Sequence, residues 1–272
     1  MRLIITDLDG SLIDHDTYSA EAAWPALRPA RAAGVSVVPC SSKTLAEMRR
    51  LAAELDLAPA PLIVENGSAV WFPAGETRLP PGASHLGDGS ALLTLGATAD
   101  WLRPRLGLVA AAAGITAKGF SRMTDAEVAH RTGLPLDMAV LARQRQFSEP
   151  FLCEDDEVSL RTLDTAARRV GARVTQGGRF FHLIGDTDKG AAVDVVRVTR
   201  PPGARLLGLG DAPNDLSLLR AVDDAVIVPG GTGILHPDLV TALPQATHAP
   251  STGPAGWNAV VLDWLAATEP QS

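Results

Sequence analysis

Cysteine is scarce in this sequence. Only Cys40 and Cys153 occur among the 272 residues, far apart and without metal-ligand spacing. The chain therefore offers neither a disulfide framework nor a cysteine zinc site, and we expect a cytosolic location. Long apolar runs are missing as well, since no stretch approaches the roughly 20 residues of a membrane span. The N-terminal segment lacks the basic-then-apolar pattern of an export signal, so we expect neither export nor membrane insertion.

Positive charge is in short supply. Lys and Arg number 24 against 31 Asp and Glu, which gives a formal net charge of -7 and a pI near 5.3. Nucleic acids and anionic membranes bind basic surfaces, so neither is an expected partner. The chain is instead rich in apolar residues, 46% hydrophobic against 20% charged, which is enough for a sizeable core in one large domain or a domain with an insert. The composition indicates no oligomeric state.

Two acidic clusters each follow a short apolar strand. Asp7 and Asp9 come after an N-terminal strand, and Asp211 and Asp215 come after a second one that ends near residue 209. In an open α/β sheet, ligands bind beyond the carboxyl ends of the strands, so acids placed there face a crevice. Clustered carboxylates repel each other and require a cation. The first cluster alone fits an ordinary turn equally well, but the two together favour a shared metal site.

Two further residues follow the same alternation of strands and helices. Ser41 comes after a β-branched strand at 35–40 and before a helix that the capping box Thr44-x-x-Glu47 opens. Hydroxyl and N–H groups at such a helix N-terminus can hold a phosphate, although serines there often do no more than begin the helix. Lys189 precedes a helix where the alternation returns. A single lysine of this kind is more often a solvated surface charge.

The middle third of the chain differs from both ends. Residues 73–89 are rich in Pro and Gly, which is typical of a boundary, and mixed helices and strands follow, among them a helix that begins at the acidic run 154–157. The pattern predicts an α/β fold, a doubly wound, mostly parallel sheet (Rossmann-like core) with an inserted α+β domain. The expected division is a first core part at 1–82, an inserted cap domain at 83–180 and a second core part at 181–272.

Four segments together resemble the motifs of the haloacid-dehalogenase-like phosphatases, in the same order and with a large insert between the second and the third. These segments are Asp7-Leu8-Asp9-Gly10-Ser11, Ser41, Lys189 and Gly210-Asp211-x-x-Asn214-Asp215. Ser11 stands where many relatives have Thr, and the loop before Lys189 varies in this family. Five more segments resemble a branch of the family whose α+β cap follows the third strand: 14–18, 40–44, 63–67, 148–151 and 176–180.

The resemblance implies a reaction through a covalent intermediate. Asp7 is expected to attack the phosphorus and form an aspartyl-phosphate, and Asp9 to act first as general acid and then as general base. Ser41 and Lys189 are expected to bind the phosphate oxygens.

The resemblance also implies a Mg²⁺ cofactor, bound through oxygen ligands. The implied metal ligands are the Asp7 side chain, the Asp9 backbone carbonyl and Asp211, with Asp215 nearby.

The substrate that this branch implies is a phosphorylated glycoside, mannosyl-3-phosphoglycerate, which yields mannosylglycerate, a compatible solute. Arg179 is the expected ligand of the glycerate carboxylate, because a guanidinium fork matches a carboxylate, although an exposed strand arginine is the alternative. Ser148 and Glu149 are weaker candidates for the sugar hydroxyls. Asn66 is expected to bind the substrate as well.

Three alternatives stay open from the sequence. A phosphorelay receiver also has acids and a lysine at strand ends, but it is about half this length and has no insert. A sugar phosphomutase shares the aspartyl-phosphate step and returns the phosphoryl group to the sugar. Phosphatases of glucosyl-3-phosphoglycerate or sucrose phosphate are the third group, since pocket contacts set the substrate.

Overall fold

The computed structural model describes residues 1–153, 158–178 and 180–267, so Arg179 and the acidic run 154–157 lie outside the described residues. The strands of the described residues are β1 (Arg2–Thr6), β2 (Ser36–Pro39), β3 (Leu62–Val64), β4 (Ala69–Phe72), β5 (Ser84–His85), β6 (Ala91–Thr94), β7 (Ala117–Gly119), β8 (Ser148–Cys153), β9 (Arg173–Gly177), β10 (Phe180–Ile184), β11 (Arg205–Gly210), β12 (Asp224–Ile227) and β13 (Thr247–His248). The α-helices are α1 (Trp24–Ala32), α2 (Leu45–Glu54), α3 (Ala99–Ala113), α4 (Asp125–Thr132), α5 (Leu136–Ala142), α6 (Leu160–Arg168), α7 (Lys189–Val198), α8 (Leu216–Arg220), α9 (Pro237–Ala242) and α10 (Gly253–Ala267).

The core is a parallel sheet with the strand order β13-β12-β11-β1-β2. The central residues of β1, Leu3-Ile4-Ile5, are all apolar because helices cover both faces of the sheet. Ile4 packs in one cluster with residues of α1 and α10, whereas its neighbours Leu3 and Ile5 pack in another with residues of α7 and α8. The predicted doubly wound core is therefore confirmed.

The cap is built on an antiparallel sheet with the strand order β7-β8-β10-β9. Helices α3 and α6 cover one face, where Phe151 and Leu183 pack against Leu102 and Leu163. Side chains alternate between the two faces of a strand, so His182, next to Leu183 on β10, belongs to the opposite face. This predicted α+β insert is confirmed.

The predicted domain boundaries stay predictions, and the strand pairing suggests a refinement of them. Strand β6, at Ala91–Thr94, pairs with β4 in a second antiparallel sheet, β3-β4-β6-β5, which joins the core through a bridge between Cys40 and Ile63. Strand β10 pairs with β8 of the cap. We propose that the chain leaves the core near Gly96 and returns near Gly185, where a Cβ on Gly185 would overlap the backbone of Gly96 and Ala97.

Several helix bounds differ from the sequence predictions. The helix expected from residue 18 begins only at Trp24, after a 3₁₀ turn. The helix expected at 191 begins two residues earlier, because the Asp188 carboxylate accepts a hydrogen bond from Ala191 N and caps it. The short helices α5 and α9 were not predicted, since six or seven residues give too few periodic positions. Among the described helices, none is long and apolar enough to cross a membrane.

Gly67 lets the turn after β3 approach the start of α7. Its φ is +84°, and a Cβ would overlap the carbonyl of Asp188. We expect Gly67→Ala to lower the free energy of unfolding by about 2 kcal/mol or more, since it adds an overlap to a strained φ. Gly75→Ala is the matched control, with the same φ of +84° and nothing within 4 Å of its Cβ. The free energy of unfolding of both variants is measured by urea unfolding. Equal losses of stability would contradict the close approach of the turn after β3 to the start of α7.

Candidate active site

The parallel strands bring three of the predicted residues to one edge of the sheet. Asp7 follows β1, and its N–H continues the ladder by donating to Leu209 O at 2.9 Å. Ser41 follows the neighbouring strand β2, and Asp211 follows β11 on the other side of β1. Parallel strands end on the same side, so the pairing alone explains why residues 200 positions apart meet.

Lys189 lies at the centre of this edge, with 1% of its surface exposed. Its Nζ lies 2.6 Å from Asp7 Oδ1 and 2.5 Å from Asp215 Oδ1. Burial opposes the charge of Lys189, but Asp215 and Asp7 outweigh it and raise the lysine pKa well above its usual value. Lys189 is thus a buried, charged and doubly paired ammonium.

The carboxylates outnumber the cations at this edge. Burial first, and then the charges of Asp215 and Asp9, raise the pKa of Asp7 to about 7 against the opposing effect of Lys189. Burial, Asp7 and Asp215 also raise the pKa of Asp211 well above its usual range. One ammonium does not neutralise this group of acids, so the site can accept a further cation.

Three carboxylates could hold that cation. Asp7, Asp211 and Asp215 each offer an oxygen atom within 4.8 Å of the others. Oxygen-only donors are those that Mg²⁺ prefers. A Cβ on Gly10 would lie 2.7 Å from Asp211 Oδ2. Only glycine at position 10 therefore avoids a steric overlap with the Asp211 carboxylate. The residues fit a divalent cation, and its identity as Mg²⁺ stays a prediction.

Asp215 is the most constrained of these acids. Its Oδ1 accepts from Lys189, and its Oδ2 accepts from the N–H groups of Asp211 and Ala212, both at 3.1 Å. From the described residues, the Asp211 side chain accepts only a long hydrogen bond, from Ser11 Oγ at 3.4 Å. Asp7 and Asp211 therefore have the more available oxygens, and Asp215 also orients Lys189 and the loop after β11.

Asp9 has a partner that the sequence analysis did not identify. Lys43 Nζ lies 2.9 Å from Asp9 Oδ2, while Asp9 Oδ1 is buried and has no hydrogen bond to any described residue. Burial opposes the charge of Lys43, but Asp9 and Glu47 prevail and raise the lysine pKa. The available signal for this role in the sequence was the position of Lys43, two residues after the predicted phosphate-binding Ser41.

Ser41 and Asn66 lie in adjoining backbone segments. Ser41 O accepts from Asn66 N at 2.9 Å, and Ser41 Oγ accepts from Lys43 N at 3.3 Å. Asn66 has a φ of 60°, and its Oδ1 accepts from Asn214 Nδ2 at 3.3 Å. Asn66, Asn214 and Lys189 line a cleft of about 960 Å³ between the core and the cap. Phosphate binding by Ser41 and substrate binding by Asn66 stay predictions.

The other predicted substrate ligands lie in the cap. Ser148 Oγ donates to Glu65 Oε2 at 2.5 Å, and Glu149 Oε1 accepts from Ser121 N at 2.9 Å and from its Oγ at 2.6 Å. Both side chains are buried, and these polar groups are engaged within the protein. The two assignments therefore stay predictions, as does that of Arg179, which lies outside the described residues.

Two charged residues that the sequence analysis missed connect the cap to the core. Glu65 accepts hydrogen bonds from Gln146 N and Phe147 N, in addition to that from Ser148. Arg145 donates to Ser42 O and lies 3.7 Å from Glu47 Oε2. The sequence analysis assigned neither residue a role, because each acts on a segment at least 80 positions away.

Comparisons with known proteins agree with this geometry. Residues 4–79 match the family model described as haloacid dehalogenase-like hydrolase. A glucosyl-3-phosphoglycerate/mannosyl-3-phosphoglycerate phosphatase of Methanococcoides burtonii is 34% identical over 267 residues, 97% of either chain. One of the same name from Persephonella marina is 36% identical over 261 residues, 94% of either chain. The fold also matches a crystal structure from Thermoplasma acidophilum, with a TM-score of 0.68 and 15% identity over 97% of this chain and 98% of that one.

The chain therefore belongs to the haloacid dehalogenase-like hydrolases. Within that family its nearly full-length similarity is to glucosyl-3-phosphoglycerate/mannosyl-3-phosphoglycerate phosphatases. The predicted family and the predicted class of phosphoric monoester hydrolase are confirmed.

The raised pKa of Asp7 predicts how metal binding depends on pH. The pKa moves from the usual 3.8 to about 7 in the folded protein. The folded state therefore gains stability from the proton on Asp7. This contribution is fully present below about pH 4 and is lost as the pH rises through about 7. Without metal, we expect the melting temperature to fall across that range. Excess Mg²⁺ should restore about 5 °C near pH 8 and much less near pH 5.

Two variants test this assignment. Asp211→Asn should lose the Mg²⁺-induced shift, whereas Asp16→Asn, the same change at an exposed position, should keep it. A shift of equal size at both pH values, or none, would contradict a metal site formed by these carboxylates.

Proposed function

We propose that this protein removes the phosphate from mannosyl-3-phosphoglycerate through an aspartyl-phosphate on Asp7, with glucosyl-3-phosphoglycerate as a further substrate. The observation that carries the proposal is the meeting of Asp7, Lys189 and Asp211 at one sheet edge, with Asp9 two residues from the nucleophile. The substrate class is supported by the names of the two curated relatives. No observation favours sucrose phosphate or a phosphomutase reaction.

In the first step, Asp7 is the nucleophile. Its carboxylate oxygen forms a bond to phosphorus while the bond from phosphorus to the glycerate oxygen breaks, and the electron pair leaves with that oxygen. Asp9, as the general acid, donates its proton to the departing oxygen. Lys189, 2.6 Å from Asp7, stabilises negative charge on the transferring group.

In the second step, water releases the phosphate. Asp9, now ionised, takes a proton from the water, whose oxygen forms a bond to phosphorus while the bond to Asp7 breaks. Lys43 Nζ, 2.9 Å from Asp9 Oδ2, holds the Asp9 side chain in position. Asp7 is regenerated and inorganic phosphate leaves.

Asp7, Asp211 and Asp215, with the Asp9 carbonyl, would hold the divalent cation, which when bound supplies positive charge against the phosphate oxygens. The remaining residues position the substrate. Ser41 would bind a phosphate oxygen at the end of β2. Arg179 is proposed as a ligand of the glycerate carboxylate, as the sequence predicts.

Removal of the nucleophile tests the mechanism. We expect Asp7→Asn to lower kcat by at least about a thousandfold, because the change removes the attacking charge at nearly constant volume. Folding is checked by circular dichroism, and Asp16→Asn is the matched control. An Asp7→Asn activity within about tenfold of the parent would contradict the assignment.

A panel of phosphorylated sugars tests the substrate class. We expect the parent kcat/KM on mannosyl-3-phosphoglycerate or glucosyl-3-phosphoglycerate to exceed that on sucrose phosphate by at least about tenfold. Inorganic phosphate should appear without a sugar bisphosphate activator, which distinguishes hydrolysis from a mutase reaction. A preference for sucrose phosphate, or a requirement for the bisphosphate, would reject this proposal.

A further inference from the structure

Polar side chains from the cap and the core converge around Gly177, the last residue of β9. A Cβ on Gly177 would lie 3.7 Å from Asn214 Nδ2, 3.7 Å from His182 Nε2 and 3.8 Å from Ser42 Oγ. Asn214 and Ser42 belong to the core, whereas His182 belongs to the cap strand β10. Three hydrogen-bonding groups from distant parts of the chain therefore lie around the position that a Cβ on Gly177 would occupy.

His182 is a buried side chain without a hydrogen-bonding partner among the described residues. It is 4% exposed, and its Nδ1 is enclosed without a hydrogen bond. Its neighbours Phe181 and Leu183 pack under α3 and α6, so His182 lies on the face of the cap sheet that meets the core. A buried imidazole without partners is uncommon, because a lost hydrogen bond costs free energy. This side chain is therefore suited to contact a ligand.

The environment of His182 keeps its ring neutral. Burial first, and then the charges of Arg145 and Lys189, lower its pKa to about 3. A neutral imidazole donates one hydrogen bond and accepts another.

The amides next to His182 also have unused hydrogen-bonding capacity. Asn214 Nδ2 donates to Asn66 Oδ1, which leaves its second N–H available. Asn66 Nδ2 and Asn214 Oδ1 are buried without partners in the described part of the chain. The donors of the cluster, which are the second N–H of Asn214, Asn66 Nδ2 and the imidazole N–H of His182, are therefore available to the oxygen atoms of an anion.

The position of the cluster relates it to the reacting phosphate. Ser42 directly follows Ser41, the proposed phosphate ligand, and Asn214 directly precedes Asp215, so the two core loops that carry the cluster also carry residues of the proposed phosphate and metal site. In the proposed substrate class, the glycerate carboxylate is the anionic group that lies a few bonds from the phosphorus.

We propose that His182, Ser42 and Asn214 form a subsite for the carboxylate of the glycerate, closed on the cap side by Gly177. The inference rests on the proposed function and requires no contribution from Arg179. It assigns His182 as a substrate-binding residue that discriminates carboxylate-bearing substrates from other phosphomonoesters.

Gly177→Ala is the sharpest test, because its methyl group would fill the subsite without altering a polar group. The Gly177 φ lies outside the left-handed region, and the new contacts of 3.7 to 3.8 Å are ordinary, so the backbone tolerates alanine. We expect KM for mannosyl-3-phosphoglycerate to rise at least about tenfold more than KM for p-nitrophenyl phosphate, which has no carboxylate. Gly107→Ala, an exposed position with nothing within 4 Å of its Cβ, should leave both activities unchanged.

His182→Gln is the second variant, since it keeps a neutral polar side chain and moves its hydrogen-bonding atoms. We expect the same contrast between the two substrates. The kcat/KM on the glycoside should fall, and the change in kcat on p-nitrophenyl phosphate should be small relative to that loss. Equal losses on both substrates in Gly177→Ala and His182→Gln would overturn the subsite.

Inhibition by D-glycerate separates this inference from the proposed function. Glycerate should inhibit hydrolysis of p-nitrophenyl phosphate by the parent, and its inhibition constant should rise at least about tenfold in both variants. If the parent rejects glycosyl phosphoglycerates yet shows this pattern, the proposed function fails and the carboxylate subsite stands. Absence of inhibition in the parent, or equal inhibition of parent and variants, would overturn the subsite.

Discussion

The ammonium of Lys189 between the carboxylates of Asp7 and Asp215 is the contact on which the rest of this structure depends. It joins the ends of β1 and β11 to the start of α7, at 2.6 Å and 2.5 Å, in a nearly solvent-free position. A buried charge without its partner is strongly unfavourable, by about 3 to 5 kcal/mol. The geometry of the nucleophile is therefore set by the same ion pairs that keep the acidic sheet edge together.

The cap is attached to the core by contacts that lead directly to the loop after β2. Glu65 receives three hydrogen bonds from the segment that enters β8, and Arg145 donates to the backbone of Ser42. Burial raises the pKa of Glu65, partly offset by Arg145 and by these hydrogen bonds. A displacement of the cap would break these contacts, so the position of the cap and that of the phosphate-binding loop are coupled.

The chemistry at the strand ends could be predicted from the sequence because it follows from local pattern and from the parallel sheet. Asp7, Asp211 and Lys189 each lie next to a clear strand or helix signal, and parallel pairing brings such positions to one edge. Lys43 and His182 could not be assigned in this way. Their roles depend on which distant side chain faces them, which neither periodicity nor capping signals determine.

Core and cap make separate contributions to selectivity. The core supplies the acids and the lysine, and their charge serves any phosphomonoester equally. Discrimination therefore has to come from groups beyond the phosphate. The core-facing side of the cap sheet supplies them, because strand alternation places His182 opposite the apolar residues under α3 and α6. Since unpaired buried donors disfavour a ligand that lacks the matching acceptor, such a site rejects substrates more strongly than an apolar pocket would.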